Sequence, residues 1–86
     1  MANIASQKKR ILRTERERVE NRRMTSAIKT HFHRLEEAAD SGDSDTVETE
    51  HRALVSRIDT AVQRGAIHRR NGARKKSRAA RVATGD

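Results

Sequence analysis

Four histidines, His31, His33, His51 and His68, are the side chains of this sequence best suited to hold a metal or move a proton. A zinc site built on a helix needs histidines at i and i+4 with a glutamate between them, and no such pair occurs. His31 and His33 stand two apart, which turns them to different sides of a helix. His51 is alone on an apolar face, and His68 stands in a connector. Core, cap or phosphate-contact roles suit all four better than metal binding. There is no cysteine to supply a thiolate or a disulfide. No nucleophile elbow, phosphate-binding loop or dinucleotide fingerprint is present. With only 86 residues the chain is too small to enclose a water-free pocket. The expectation is no catalytic residue, no metal and no cofactor.

The cations are a different matter. Lys8, Lys9, Arg10, Arg13, Arg16, Arg18, Arg22 and Arg23 crowd the first quarter of the chain, and Arg69, Arg70, Arg74, Lys75, Lys76, Arg78 and Arg81 the last. On a helix, Lys9, Arg13 and Arg16 lie at i, i+4 and i+7. Arg18, Arg22 and Lys29 are expected to continue nearly that face. A straight rod with cations at every turn suits contact with backbone phosphates. Residues 1–35 carry a net +7, residues 36–62 a net −6 and residues 63–86 a net +7. Two such basic blocks, with a pI near 11.3, would repel each other without a polyanion. Phe32 is the single aromatic residue, so splayed single-stranded bases would find nothing to stack on. Folded RNA, met through its shape, phosphates and 2′-hydroxyls, fits better than base-specific DNA reading.

Positioning those cations falls to helices. Residues 6–39 contain no Gly or Pro and are dense in good helix formers. Ser6 is the expected N-cap, and Met24, Ile28, Phe32, Leu35 and Ala39 form an apolar stripe in the second half. In the first half only Ile11, Leu12 and Val19 are apolar, so that half has little to pack with. Ser41-Gly42-Asp43-Ser44 marks a loop. Asp45 is expected to cap a second helix, with Glu48 completing a capping box. The acidic cluster of Asp43, Asp45, Glu48 and Glu50 then sits at the positive end of a helix dipole. Val47, His51, Leu54, Val55, Ile58, Ala61 and Val62 line its inner face, and Gly65 stops it. A third helix over residues 69–82 has almost no core stripe and is weakened at its start by Gly72. Nothing alternates with period two. The fold class expected is all-α: an elongated three-helix bundle with a long N-terminal helix, an antiparallel second helix and a short basic third helix, forming one domain over residues 1–86.

Leu, Ile, Val and Phe together number 14 of 86. That is below the ~20% at which a highly charged chain sustains itself, so marginal stability alone and ordering by a partner are expected. No apolar run approaches the ~18 residues of a membrane span, and Lys8-Lys9-Arg10 replaces the apolar stretch of a secretory signal. A cytoplasmic protein with no membrane partner and no homo-oligomer is the expectation. A nucleoid-type helical DNA-binding protein is the alternative, but it needs a dimer seam or recognition helix, and the apolar stripes are used internally. A coiled-coil adaptor would show heptads through residues 6–23, and they are missing.

The opening Ala2-Asn3-Ile4, Ser6 and Lys8-Lys9-Arg10, followed by Asn21-Arg22-Arg23, Ser26, the Ala39-x-x-Gly42-Asp43 corner and Asp59 at matching separations, resembles the S-twenty family of bacterial small-subunit ribosomal proteins. The sharpest likeness is Arg64-Gly65-Ala66-Ile67-His68 followed by Ala73-Arg74-Lys75-Lys76-Ser77-Arg78. Arg70 stands where the family usually has Asn, and Gly72 where it usually has Ala. The resemblance covers nearly the whole chain. It implies a three-helix bundle that binds small-subunit ribosomal RNA directly, early in assembly, low on the body of the particle, near other small-subunit components. It also implies contacts from Asn3, Ser6, Lys8, Lys9 and Arg10, from Asn21, Arg22, Arg23 and Ser26, and from His68, Arg74, Lys76, Ser77 and Arg78. The basic spacing adds Arg13, Arg16, Arg69, Arg70 and Lys75.

Overall fold

The computed structural model describes residues 4–85. Three helices follow one another: α1 (Ile4–Ser41), α2 (Ser44–Gln63) and α3 (Arg69–Thr84). Among the described residues there is no strand. Asn3, one of the expected contact residues, lies outside the described residues.

The first helix does not begin at Ser6. It is already helical at Ile4, so Ser6 is an interior helical residue and not a cap. Nothing in Ile4-Ala5 breaks a helix, and a serine caps only where the chain before it departs from helical geometry. The helix then runs 38 residues without interruption. Its buried side chains are Ile28, Phe32, Leu35 and Ala38, while Ala39 is only half-buried. At 3.6 residues per turn Ala39 lies nearer the centre of the stripe, yet Ala38 is the more deeply buried of the two where α1 turns into the corner.

The α1–α2 corner turns on Gly42, whose N–H donates to the carbonyl of Ala38 at 3.1 Å. The N-cap of α2 is Asp43, two residues before the expected Asp45. Thr46 supplies the reason. Its N–H donates to one Asp43 carboxylate oxygen at 3.3 Å and its hydroxyl to the other at 2.6 Å. One aspartate thereby captures two donors, and Asp45 falls into the first helical turn, where the dipole still favours it. These bonds hold the Asp43 carboxyl below its ordinary value, the Thr46 hydroxyl contributing most.

Gly65 ends the second helix as expected. It adopts φ +79°, and its N–H donates to Val62 while that of Ala66 donates to Ala61 at 2.8 Å. This is a Schellman turn, whose left-handed residue is unstrained only as glycine. It throws Ile67 back onto the core. His68 then caps α3, its Nδ1 accepting the N–H of Arg70 at 3.1 Å.

The helices pack antiparallel in sequence order. His31 meets Glu50 across α1 and α2, and Lys76 meets Asp59 across α2 and α3. The core holds Ile28, Phe32, Leu35, Leu54, Ile58, Ala61 and Ala79. The third helix has a core stripe after all, made of small residues: Gly72 and Ala79 are buried, and Val82 and Ala83 pack at their side. A Cβ built on Gly72 would lie 2.4 Å from Val62 Cγ2. Gly72 is therefore a point of close helix approach and not merely a weak start.

The bundle occupies only part of the molecule. Residues 4–20 of α1 are exposed throughout and project beyond the ends of the other two helices. The radius of gyration is 17.1 Å, with extents of 62 × 20 × 13 Å. A compact chain of this length would have a radius near 12 Å. The projecting arm accounts for the difference.

Candidate nucleic-acid interface

The arm presents Ser6, Lys8, Lys9, Arg10, Arg13 and Arg16 to solvent. Arg13 pairs with Glu17 at 3.3 Å, an exposed pair one turn apart that leaves most of the guanidinium open. One expectation fails here. Because α1 is a single unbroken helix, Lys9, Arg13 and Arg16 lie on one side, and Arg18, Arg22 and Lys29 lie roughly opposite them. The arm carries cations on two sides and not along one face. Further along, Asn21 is half-buried and faces the seam beside Arg64 and Gly65. Arg22, Arg23 and Ser26 border a shallow depression with Val19, Ala27 and Thr30 on the outer side of the helix.

The third helix contains seven Lys and Arg and no acidic residue. Arg70, Arg74, Ser77 and Arg81 recur at i, i+4, i+7 and i+11, so they form one stripe within about 60° of arc. That stripe faces away from Gly72 and Ala79, and all four residues are exposed. Arg69 is exposed to one side of it. His68 is engaged as the helix cap through Nδ1, which places its proton on Nε2 and leaves that N–H for an outside acceptor.

Lys75, Lys76 and Arg78 are less free than the sequence suggests. Lys76 donates to Asp59 at 2.9 Å and ties α3 to α2. The Arg78 guanidinium lies over the Phe32 ring at 4.9 Å and reaches Glu36 at 3.5 Å, tying α3 to α1. The sole aromatic is thus covered by an arginine of its own chain. Lys75 lines an open groove of about 520 Å³ between α1 and α3, together with Lys29, His33 and Asn71. His33 and Asn71 were not legible as site residues, because only the parallel packing of α1 and α3 brings them together.

Among the described residues no three His, Asp or Glu side chains gather as a metal site, and no helix is long and apolar enough to cross a membrane. Asp43, Asp45, Glu48 and Glu50 open α2 at the end of the bundle away from the arm, beside the last turn of α3. The half-buried His31 and Glu50 stand 3.6 Å apart at the α1–α2 seam, a structural pair with neither group offered to an outside ligand.

A bundle of this size, with cations on a bare helical arm and along its third helix, is a small basic all-helical structural protein. It belongs to the ribosomal protein S20 family, whose profile matches residues 2–83. Over 95% of both chains it is 46% identical to the small ribosomal subunit protein bS20 of Acaryochloris marina. The bS20 proteins of Paenarthrobacter aurescens and Beutenbergia cavernae are 43% and 38% identical, over 90% and 99% of each chain. The family is structural and not enzymatic, and the chain is not an enzyme.

Proposed function

We propose that the protein is a structural constituent of the small ribosomal subunit in the cytoplasm, binding small-subunit ribosomal RNA directly and stabilising its fold during assembly. The whole chain acts as one RNA-binding unit. The observation that carries this reading is the segregation of charge. The arm of α1 is net positive and the outer stripe of α3 is purely cationic, while residues 36–62, which include the start of α2, carry a net −6. Each cation placed on a phosphate releases a condensed counterion, so binding strength is coupled to salt. The contacts are Asn3, Ser6, Lys8, Lys9, Arg10, Arg13 and Arg16, then Asn21, Arg22, Arg23 and Ser26, then His68, Arg69, Arg70, Arg74, Lys75, Lys76, Ser77 and Arg78. Within that set Arg70, Arg74 and Ser77 are the exposed outer stripe. Lys76 and Arg78 touch RNA only while also holding Asp59 and Glu36. The acidic start of α2 faces away from RNA, and crosslinks from residues 43–50 to RNA would contradict that orientation.

The test is binding of the purified protein to the 5′ part of small-subunit ribosomal RNA against an equal mass of duplex DNA, from low to moderate salt. Saturable RNA binding with a steep salt slope and a rise in helical circular dichroism supports the reading. Equal affinities that fade together with salt reduce it to general charge attraction.

A further inference from the structure

Among the described residues, Ile4, Ile11, Leu12 and Val19 are the large apolar side chains that the bundle leaves uncovered, exposed by 69, 58, 61 and 47%. They are not scattered. At about 100° per residue they fall within one arc of roughly 100°. That arc lies on the side of α1 opposite Ile28, Phe32 and Leu35, so it does not continue the core stripe. Arginines border it on both sides, Arg18 along one edge and Arg16 and Arg23 along the other, with Lys8 and Arg22 within it. Glu15 is the one carboxylate there. Towards the bundle the same side continues into the shallow depression floored by Ser26, Ala27 and Thr30.

We propose that this side of the arm seats in the minor groove of double-helical RNA, with the alkyl side chains against ribose faces and the bordering arginines on the two flanking phosphate rows. The proposal rests on the ribosomal RNA reading above and names the surface and the groove. An A-form minor groove is wide and shallow and displays sugars between its phosphate rows. A strip that sets alkyl side chains beside Lys8, Glu15 and Arg22 and carries arginines along both edges offers apolar contact to the sugars and cations to the phosphate rows. The B-form DNA minor groove, about 6 Å wide, does not admit a helix 10–12 Å across. A membrane surface would need a larger apolar face, with Trp, Phe or more Leu.

The experiment uses the full chain carrying Ile11→Gln, Leu12→Gln and Val19→Gln together. Glutamine is as good a helix former as the residues it replaces, and all three positions are exposed, so the helix and the bundle are kept. A second variant, Arg18→Gln with Arg22→Gln, provides the electrostatic contrast. Probes are the 5′ part of small-subunit ribosomal RNA, an RNA duplex, a DNA duplex of the same sequence, and phosphatidylglycerol vesicles. The triple variant is expected to bind both RNAs about tenfold or more weakly at every salt concentration, with an unchanged salt slope and unchanged DNA binding. The arginine variant is expected to flatten the salt slope by about 0.9 per lost phosphate contact. Wild-type protein that binds the ribosomal transcript while the triple variant binds it equally well overturns this inference alone. So does an equal loss on RNA and DNA, or a loss confined to vesicles. Wild-type protein that does not bind the transcript overturns the ribosomal reading as well.

Discussion

Replacing Gly72 by alanine sets two effects of opposite sign against each other. In an exposed helix the change gains about 1 kcal/mol of helix propensity. Here the new Cβ would lie 2.4 Å from Val62 Cγ2 and 3.5 Å from Ile58 Cγ2. The nearer methyl belongs to a β-branched residue with one strongly preferred rotamer in a helix, so it does not swing away cheaply. Either Val62 leaves its rotamer or α3 backs off the seam that buries Ala79. Overpacking of this kind costs about 1–3 kcal/mol, enough to outweigh the propensity gain. The expected net result is a loss of about 1 kcal/mol, or a drop in Tm of about 4–8 °C for a chain of this size. Val62→Ala removes the offending methyl. In the Gly72→Ala background it should therefore cost at least 1 kcal/mol less than it does alone. Thermal and urea melts followed by ellipticity at 222 nm measure all four corners of this cycle. A Gly72→Ala protein that is more stable than the parent, with coupling within the ~0.5 kcal/mol typical of independent sites, would refute the close-approach account.

Leu35 is fully buried at the centre of the core, so Leu35→Ala should cost about 2–5 kcal/mol. In a bundle this small, that loss should appear as a broad melt beginning near room temperature. Residues 4–16 are exposed arm, so in a protein truncated to begin at Glu17 the thermal midpoint should stay within a few degrees while affinity for ribosomal RNA falls and its salt dependence flattens. A large fall in midpoint would show that the arm supports the bundle. The Asp43 carboxyl is held below its ordinary value by Thr46. Its contribution to stability is therefore full above the normal carboxylate range and is lost as pH falls through the depressed folded value. Asp43→Asn keeps an acceptor at the cap, so its midpoint should be less sensitive to acid. Parallel pH curves for the two proteins would count against the Asp43–Thr46 bonds.

The helix count, the Gly65 stop and the bare first half of α1 were legible because each depends on local pattern: a 3.6-residue stripe, a left-handed turn residue, or the lack of apolar residues. The sequence pattern points to Asp45 as the cap because Asp45 and Glu48 offer a capping box, whereas the bonds from Thr46 to Asp43 have no signature in spacing. Gly72 reads as a helix weakness because propensity is local and the Val62 methyl belongs to another helix. The stripe of α3 is hidden for a related reason. Glycine and alanine carry little hydrophobic signal, yet they are what lets two helices come close. The division of the arm's cations between two sides follows from the helical period itself, since pairwise spacings near a whole turn drift round the helix when several are added. The ties of Lys76 to Asp59 and Arg78 to Phe32 and Glu36 needed the tertiary arrangement.

The arm is also a gauge of register. It has no packing of its own to absorb a change in chain length, so an inserted or deleted residue beyond the bundle passes undiminished to everything on its N-terminal side. One extra residue would turn the outer part of the arm by about 100° and lengthen it by about 1.5 Å. The bundle would fold unaltered while the apolar strip pointed elsewhere. Seven extra residues, close to two whole turns, would restore the orientation and add about 10 Å of reach. Length variation in this part of the chain should therefore be tolerated in steps set by the pitch of the helix, even though no contact within the protein forbids the steps between.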